Sequence, residues 1–203
     1  MSGAIAWAVV ALGIGVVVVR RRSLGIALVT LQALLLAIGA LAAEHSASRV
    51  GEVLALGLRG LGLGVLLIVV MRRTREAAPV RAGVAPLVRA AFAVGLALAL
   101  AGLVPTIGLD SRSSERAVLS LVAFGLVTCA TRRATLFQIA GLVMVENGLA
   151  LAAFSARGGG SVVIELGAAL DLILIAVVAT AFHERIFATF GAGDTKNLRS
   201  LRD

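Results

Sequence analysis

An all-α, polytopic transmembrane helix bundle of about seven spans is the fold this sequence predicts, and three observations carry the expectation. Apolar residues make up 60% of the chain and charged residues only 15%, with a mean hydropathy of +1.04. Long runs of Leu, Val, Ala and Gly recur, each near the roughly 20 residues that about 30 Å of hydrocarbon requires. Short Arg-rich breaks separate these runs, and nothing is left over for a separate water-soluble domain in 203 residues.

The predicted spans run Gly3–Val19, Leu24–Ala43, Gly51–Met71, Pro86–Leu109, Ala117–Ala130, Ala134–Phe154 and Ser161–Phe182. The first has no basic residues before it and no small-residue cleavage motif. Its basic cluster, Arg20, Arg21 and Arg22, follows instead, so it reads as a retained span rather than a signal peptide. The fifth is the shortest. Between the spans lie RRR at 20–22, EHSASR at 44–49, RRTREAAPVR at 72–81, DSRSSER at 110–116, TRR at 131–133 and ARGGG at 156–160, all too short to fold alone. Three regions result: five helices over 1–133, a two-helix acidic region over 134–186, and an amphipathic tail over 187–203.

An isoelectric point near 11.6 raises the question of nucleic acid. The basic residues are punctuation between helices, not one patch or an aromatic-interleaved face, so membrane topology explains the charge better. With the amino terminus outside and the carboxy terminus cytoplasmic, fourteen Arg and Lys residues fall on the inner side. Only Arg49, Arg112, Arg116 and Arg157 face out, and Arg59 lies within the third span. One cysteine, Cys129, excludes an intrachain disulfide. No nucleotide-binding loop, metal cluster or nucleophile triad is visible, so the chain itself is expected to hold no cofactor and to carry no bond-making site.

Function is sought in polar residues that hydrocarbon makes costly. A carboxylate buried in a span is expensive unless paired, hydrated or protonated, and such residues mark ion or proton routes. Glu146, with Asn147 beside it, Glu165 and Asp171 are the candidates, with His183 and Glu184 at the inner end of the last span, where water is expected to reach them. Counting rise per residue from the predicted boundaries puts Arg59, Glu146 and Asp171 at one level, on the order of 12–15 Å below the outer boundary. Arg59 is therefore a structural or pKa-tuning partner for an acid, since a lone arginine relays no protons. Glu165, about 6 Å deep by the same rise, also reads as a helix-start residue near headgroups. Gln138 reads as an interhelical hydrogen-bond former. The Gly60/Gly64 spacing suits close packing of the third span against a neighbour, which would keep Arg59 from lipid.

LFQIAGLVMVENGLALAAF at 136–154, VIELGAALDLILIAVVATAFHERI at 163–186 and FGAGDTKNLRSLRD at 190–203 together resemble component E of hydrogenase-4 and its relatives. These are membrane-arm subunits of group 4 [NiFe] hydrogenases and formate hydrogenlyase-type complexes, whose last helices are similar to the K subunit of respiratory complex I and the C subunit of multisubunit sodium/proton antiporters. The resemblance implies that Glu146 in ENG and Glu165 in ELG belong to a central polar axis, and that Asp171 is the acid that follows. It implies antiporter-like and quinone-module-like membrane partners and peripheral redox subunits, with Ni-Fe and Fe-S centres held by those partners. It further implies residence in a bacterial or archaeal cytoplasmic membrane and a share in proton or sodium translocation. A purely structural membrane-arm subunit and a small free-standing ion transporter stay open beside this reading.

Overall fold

The chain is described here by a computed structural model covering residues 3–43, 47–73, 84–106, 108–156, 176–177, 179–185 and 187–188. Six helices run in order: α1 (Gly3–Val18), α2 (Arg22–Ala43), α3 (Ala47–Arg73), α4 (Pro86–Leu103), α5 (Arg112–Thr131) and α6 (Thr135–Ser155). Residues 176–177, 179–185 and 187–188 are also helical. The predicted seventh span therefore lies largely outside the described residues, as do Glu165, Asp171 and nearly all of the amphipathic tail.

Local chemistry moves several boundaries from where hydropathy placed them. The fourth helix stops at Leu103 rather than Leu109, because Pro105 donates no amide and drives Val104 into extended backbone (ψ 123°). The fifth starts at Arg112 rather than Ala117 and is 20 residues long, so five of the seven residues of the DSRSSER break are helical. Ser111 is its N-cap, accepting from the Ser114 amide at 3.2 Å. Glu115 in the first turn accepts from the amides of Gly108 (3.1 Å) and Leu109 (3.4 Å), and Gly108 takes the positive φ of 79° that this turn needs. The third helix is longer at both ends than the predicted 51–71, taking in Ala47–Arg49 of the EHSASR break.

α1, α2, α6 and α5 pack in a ring, with the most extensive contact between α5 and α6. α3 lies against α2, and α4 against α5 and α1, so each flanks the ring. Glycines set the two closest approaches. A Cβ on Gly125 would sit 2.5 Å from the Gly141 carbonyl oxygen, and one on Gly60 would sit 2.6 Å from the Ala33 Cβ. The α2–α3 seam is thus the small-residue packing expected of Gly60 and Gly64, with Ala33 and Thr30 of α2 filling the notches.

The outside of this bundle is apolar. Leu58, Leu87, Phe92, Leu98 and Leu103 are each exposed by 65–82%. Such surface is untenable in water and ordinary in hydrocarbon. By length and composition four helices are able to cross a membrane: residues 22–41 of α2, and α4, α5 and α6; α1 is apolar but 16 residues long.

Candidate functional site

A hydrogen-bonded chain of polar side chains crosses the bundle at mid-height. Gln32 is near the middle of α2, Arg59 of α3, and Glu146 and Asn147 of α6. Arg59 Nη1 donates to Glu146 Oε1 in an ion pair, and Arg59 Nη2 donates to Asn147 Oδ1 at 3.4 Å. Asn147 Nδ2 donates to Gln32 Oε1 at 2.9 Å, and Gln32 Nε2 donates to the Val9 carbonyl of α1 at 2.9 Å. Four helices are joined by one continuous run of donors and acceptors. Gln32 and Asn147 are fully buried, and Arg59 is 6% exposed.

Backbone spacing lets the chain form. Gly13 leaves open the space beside the α1 backbone through which Gln32 reaches Val9; a Cβ there would meet Phe124 at 3.0 Å and Gln32 Nε2 at 3.4 Å. Gly148, next to Asn147, keeps α6 close to α5, where an added Cβ would lie 3.1 Å from Leu121. Each donor satisfied in this chain avoids the cost of a stranded polar group in an apolar interior. The Arg59–Glu146 pair is also net neutral, which lowers the cost of burying either charge.

Among the described residues the run holds one carboxylate, Glu146, whose side chain is 16% exposed against 5% for Arg59. A carboxylate can hold and release a proton, and Arg59 engages one of its two oxygens, Oε1. Asn147 and Gln32 carry no titrating proton; they hold Arg59 and tie α1 and α2 to it.

The remaining sequence candidates fall elsewhere. Gln138 donates from Nε2 to the Arg132 carbonyl at 3.0 Å, and its own carbonyl accepts from Cys129 Sγ at 3.2 Å. It closes the α5–α6 turn, eight residues from Glu146. His183 was expected in water at the helix end and is instead fully buried, while Phe182 is exposed. Ala176, Thr180 and His183, spaced four and three residues apart, share the packed face of their helical segment. Glu184 is exposed.

Two features escaped the sequence reading. Gln32 is the one amide within α2 and the signal for it was available, since a glutamine in the middle of a span demands a partner. A second polar centre occupies the end of the bundle where α1 and α5 finish and α4 and α6 begin. There Arg89 and Arg132 are 1% and 3% exposed. Arg132, between α5 and α6, donates from Nη2 to the carbonyls of Val16 (3.4 Å), Val17 (3.0 Å) and Val19, and lies 4.0 Å from the Phe137 ring centroid. Burial, with the like charges of Arg89 and Arg20, pushes its guanidinium down to about 9, which leaves it protonated at neutral pH.

No protein-family profile and no solved structure matches the chain. A stretch of 87 residues, 43% of this chain, is 36% identical to Uncharacterized protein Rv0085 of Mycobacterium tuberculosis. The match spans 40% of that relative's length. Fold and site together define the chain as an all-helical membrane protein with a buried ionic pair at mid-bundle.

Proposed function

We propose that the chain is an integral membrane subunit of a complex I-related, group 4 hydrogenase-type assembly, and that it contributes buried carboxylates to a proton or sodium path. The observation that carries this reading is the continuous polar run from Val9 through Gln32, Asn147 and Arg59 to Glu146 in an otherwise apolar interior. A proton route needs a titratable group held at membrane depth and a means of engaging and releasing it. Glu146 is the group and Arg59 the means. The resemblance of residues 136–154 and 163–186 to hydrogenase-4 component E supplies the machine, with Glu165 and Asp171 continuing the path. In this reading α1 and α3 also span and a seventh helix follows, with the amino terminus outside. The membrane is the cytoplasmic membrane of a bacterium or archaeon.

One specific observation favours a second reading. The Arg59–Glu146 pair ties α3 to α6, and such pairs fix helix register without moving ions. Glu146→Gln separates the two, because the amide keeps the shape and the hydrogen bond to Arg59 but carries no titrating proton. Purification from native membrane is expected to bring down large redox partners. In that assembly Glu146→Gln is expected to leave composition unchanged while lowering proton-coupled turnover. Unchanged coupling in an intact mutant assembly assigns the pair to structure alone, and a chain that purifies without partners overturns the subunit reading. Orientation is tested in a Cys129→Ser background: Thr106→Cys is expected to react with an impermeant thiol reagent from outside, and Ser23→Cys only after permeabilisation.

A further inference from the structure

The basic end of the bundle holds more donor capacity than the protein uses. Arg89 in the first turn of α4 is 1% exposed, yet its Nε, Nη1 and Nη2 have no acceptor, and Arg132 Nε and Nη1 have none either. Five buried guanidinium nitrogens thus stand without a partner among the described residues. Taking a charge out of water uncompensated costs several kcal/mol, about the stability of a typical domain when two are involved. Arg20, at the end of α1, adds a third positive charge that acts on both. α4 starts here as well, with no capping side chain and no acidic residue in its first turn.

An apolar groove begins beside Arg89. Val88, Ala91, Phe92, Gly95, Leu96 and Ala99 line it, and it has a volume of about 550 Å³. It follows α4 for roughly 16 Å at the α-helical rise. Gly95 forms its floor, since a Cβ there would meet nothing within 4 Å. Positive groups at the helix start and an open apolar face that runs from Val88 along α4 match the two ends of one molecule: an anionic headgroup and an acyl chain.

We propose that this end of the bundle binds an anionic phospholipid, its phosphate held by Arg89, the free edge of Arg132 and the uncapped start of α4, and one acyl chain lying in the α4 groove. Arg132 is anchored by its Nη2 contacts with the α1 carbonyls, which leave Nε and Nη1 without an acceptor among the described residues. A phosphate oxyanion suits the paired guanidinium forks, which bind such oxygens two at a time. Basic pockets between helix ends are a recurrent way to recognise acidic headgroups.

The test uses the full-length chain, with any copurifying subunits, stripped of lipid in mild detergent. Phosphatidylglycerol, phosphatidylcholine and inorganic phosphate are titrated separately, with binding read by native mass spectrometry and thermal midpoint. Phosphatidylglycerol is expected to bind at least tenfold tighter than phosphatidylcholine. Arg89→Gln is expected to remove most of that preference, on the order of tenfold or more for lost charge-assisted bonds. Gly95→Leu, which fills the groove without a clash inside the bundle, is expected to weaken the lipid while leaving phosphate unaffected. Arg89→Leu is expected to raise the midpoint of the lipid-free protein, because it removes an uncompensated charge, and to abolish the rise that phosphatidylglycerol produces. Equal binding of the two lipids, or an Arg89→Gln protein with an unchanged preference, overturns the proposal. So does inorganic phosphate binding as tightly as the lipid, or an acidic residue of a copurifying subunit crosslinking to position 89.

Discussion

Removing Glu146 takes from Arg59 its carboxylate partner in the α3–α6 ion pair, and the size of the effect follows from the geometry. Arg59 is 5% exposed at its side chain and Glu146 is 16% exposed, so the pair is buried on one side and close to buried on the other. Breaking a buried pair by deleting one partner costs about 3–5 kcal/mol, whereas replacing both by apolar residues of similar volume is near neutral. The partial exposure of Glu146 points to the lower figure, about 3 kcal/mol for Glu146→Leu. In a chain of this size that corresponds to a fall of roughly 6–12 °C in thermal midpoint. Arg59→Leu is expected to cost less. The carboxylate that remains can neutralise itself by taking a proton, an escape closed to arginine.

The double replacement is the decisive measurement. With both charges gone, Asn147 keeps its bond to Gln32 and loses only the long 3.4 Å contact from Arg59. The double mutant is therefore expected to be more stable than Glu146→Leu alone, with a coupling energy of about 2 kcal/mol or more between the two positions. Thermal and denaturant unfolding in detergent at neutral pH, followed by circular dichroism, gives all four corners of the cycle. Costs that add to within about 0.5 kcal/mol would show that Arg59 and Glu146 do not interact and would remove the basis of the site.

Two other outcomes follow from the packing and from the basic end. Gly125→Ala is expected to lower the midpoint sharply, because its Cβ would lie 2.5 Å from the Gly141 carbonyl oxygen and 2.9 Å from the Val145 amide nitrogen, both backbone. Gly62→Ala, with nothing within 4 Å of the new methyl, is expected to stabilise by up to about 1 kcal/mol through helix propensity, and the pair of melts checks both. Arg132 sets a pH dependence of known sign: burial pushes its guanidinium from its ordinary value down to about 9, so above that pH the unfolded chain binds more protons and stability rises with pH. The penalty is complete below about pH 9. The stability difference between wild type and Arg132→Gln is therefore expected to stay flat from pH 6 to 8 and to move in favour of wild type above pH 9; a flat difference up to pH 10.5 would contradict it.

Hydropathy made the membrane class and most helix centres legible, because a span is a statement about average composition and tolerates errors at its ends. The ends obey chemistry that averages conceal. Pro105 cut α4 short and the Ser111 cap lengthened α5, and both signals stood in the sequence, outweighed by the apolar run in one case and the charges in the other. Depth counting brought Arg59 and Glu146 to one level because both lie mid-helix, where a shift of a few residues at a boundary matters little. Which helix faces which is a different matter. Arg89 counts as one more inner-side arginine until α1, α4, α5 and α6 are seen to end together around it, and Gln32 has no apparent partner until α2 is placed against α6. His183 shows the converse: at a helix end, exposure depends on the face, and the sequence position alone does not give it.

Register between α2 and α3 governs whether Arg59 reaches its acid. Arg59 precedes Gly60, whose missing side chain accepts Ala33, and one turn further Gly64 accepts Thr30, with an added Cβ there only 2.4 Å from Oγ1. These notches act like knobs in holes and locate α3 along α2 to within a fraction of a turn. A methyl at Gly60 would begin 2.6 Å from the Ala33 Cβ, so α3 must retreat by roughly an ångström to restore ordinary carbon–carbon contact near 3.5–4.0 Å. Arg59 retreats with it, while α6 and Glu146 stay in the ring, held by α5. Gly60→Ala is thus expected to do more than destabilise the seam. Measured in that background, the coupling energy between Arg59 and Glu146 is expected to fall by half or more, although neither residue has been touched. A double-mutant cycle repeated with Gly60→Ala that returns the wild-type coupling would show that Arg59 finds its partner by side-chain reach alone, and that helix register has no part in holding the pair closed.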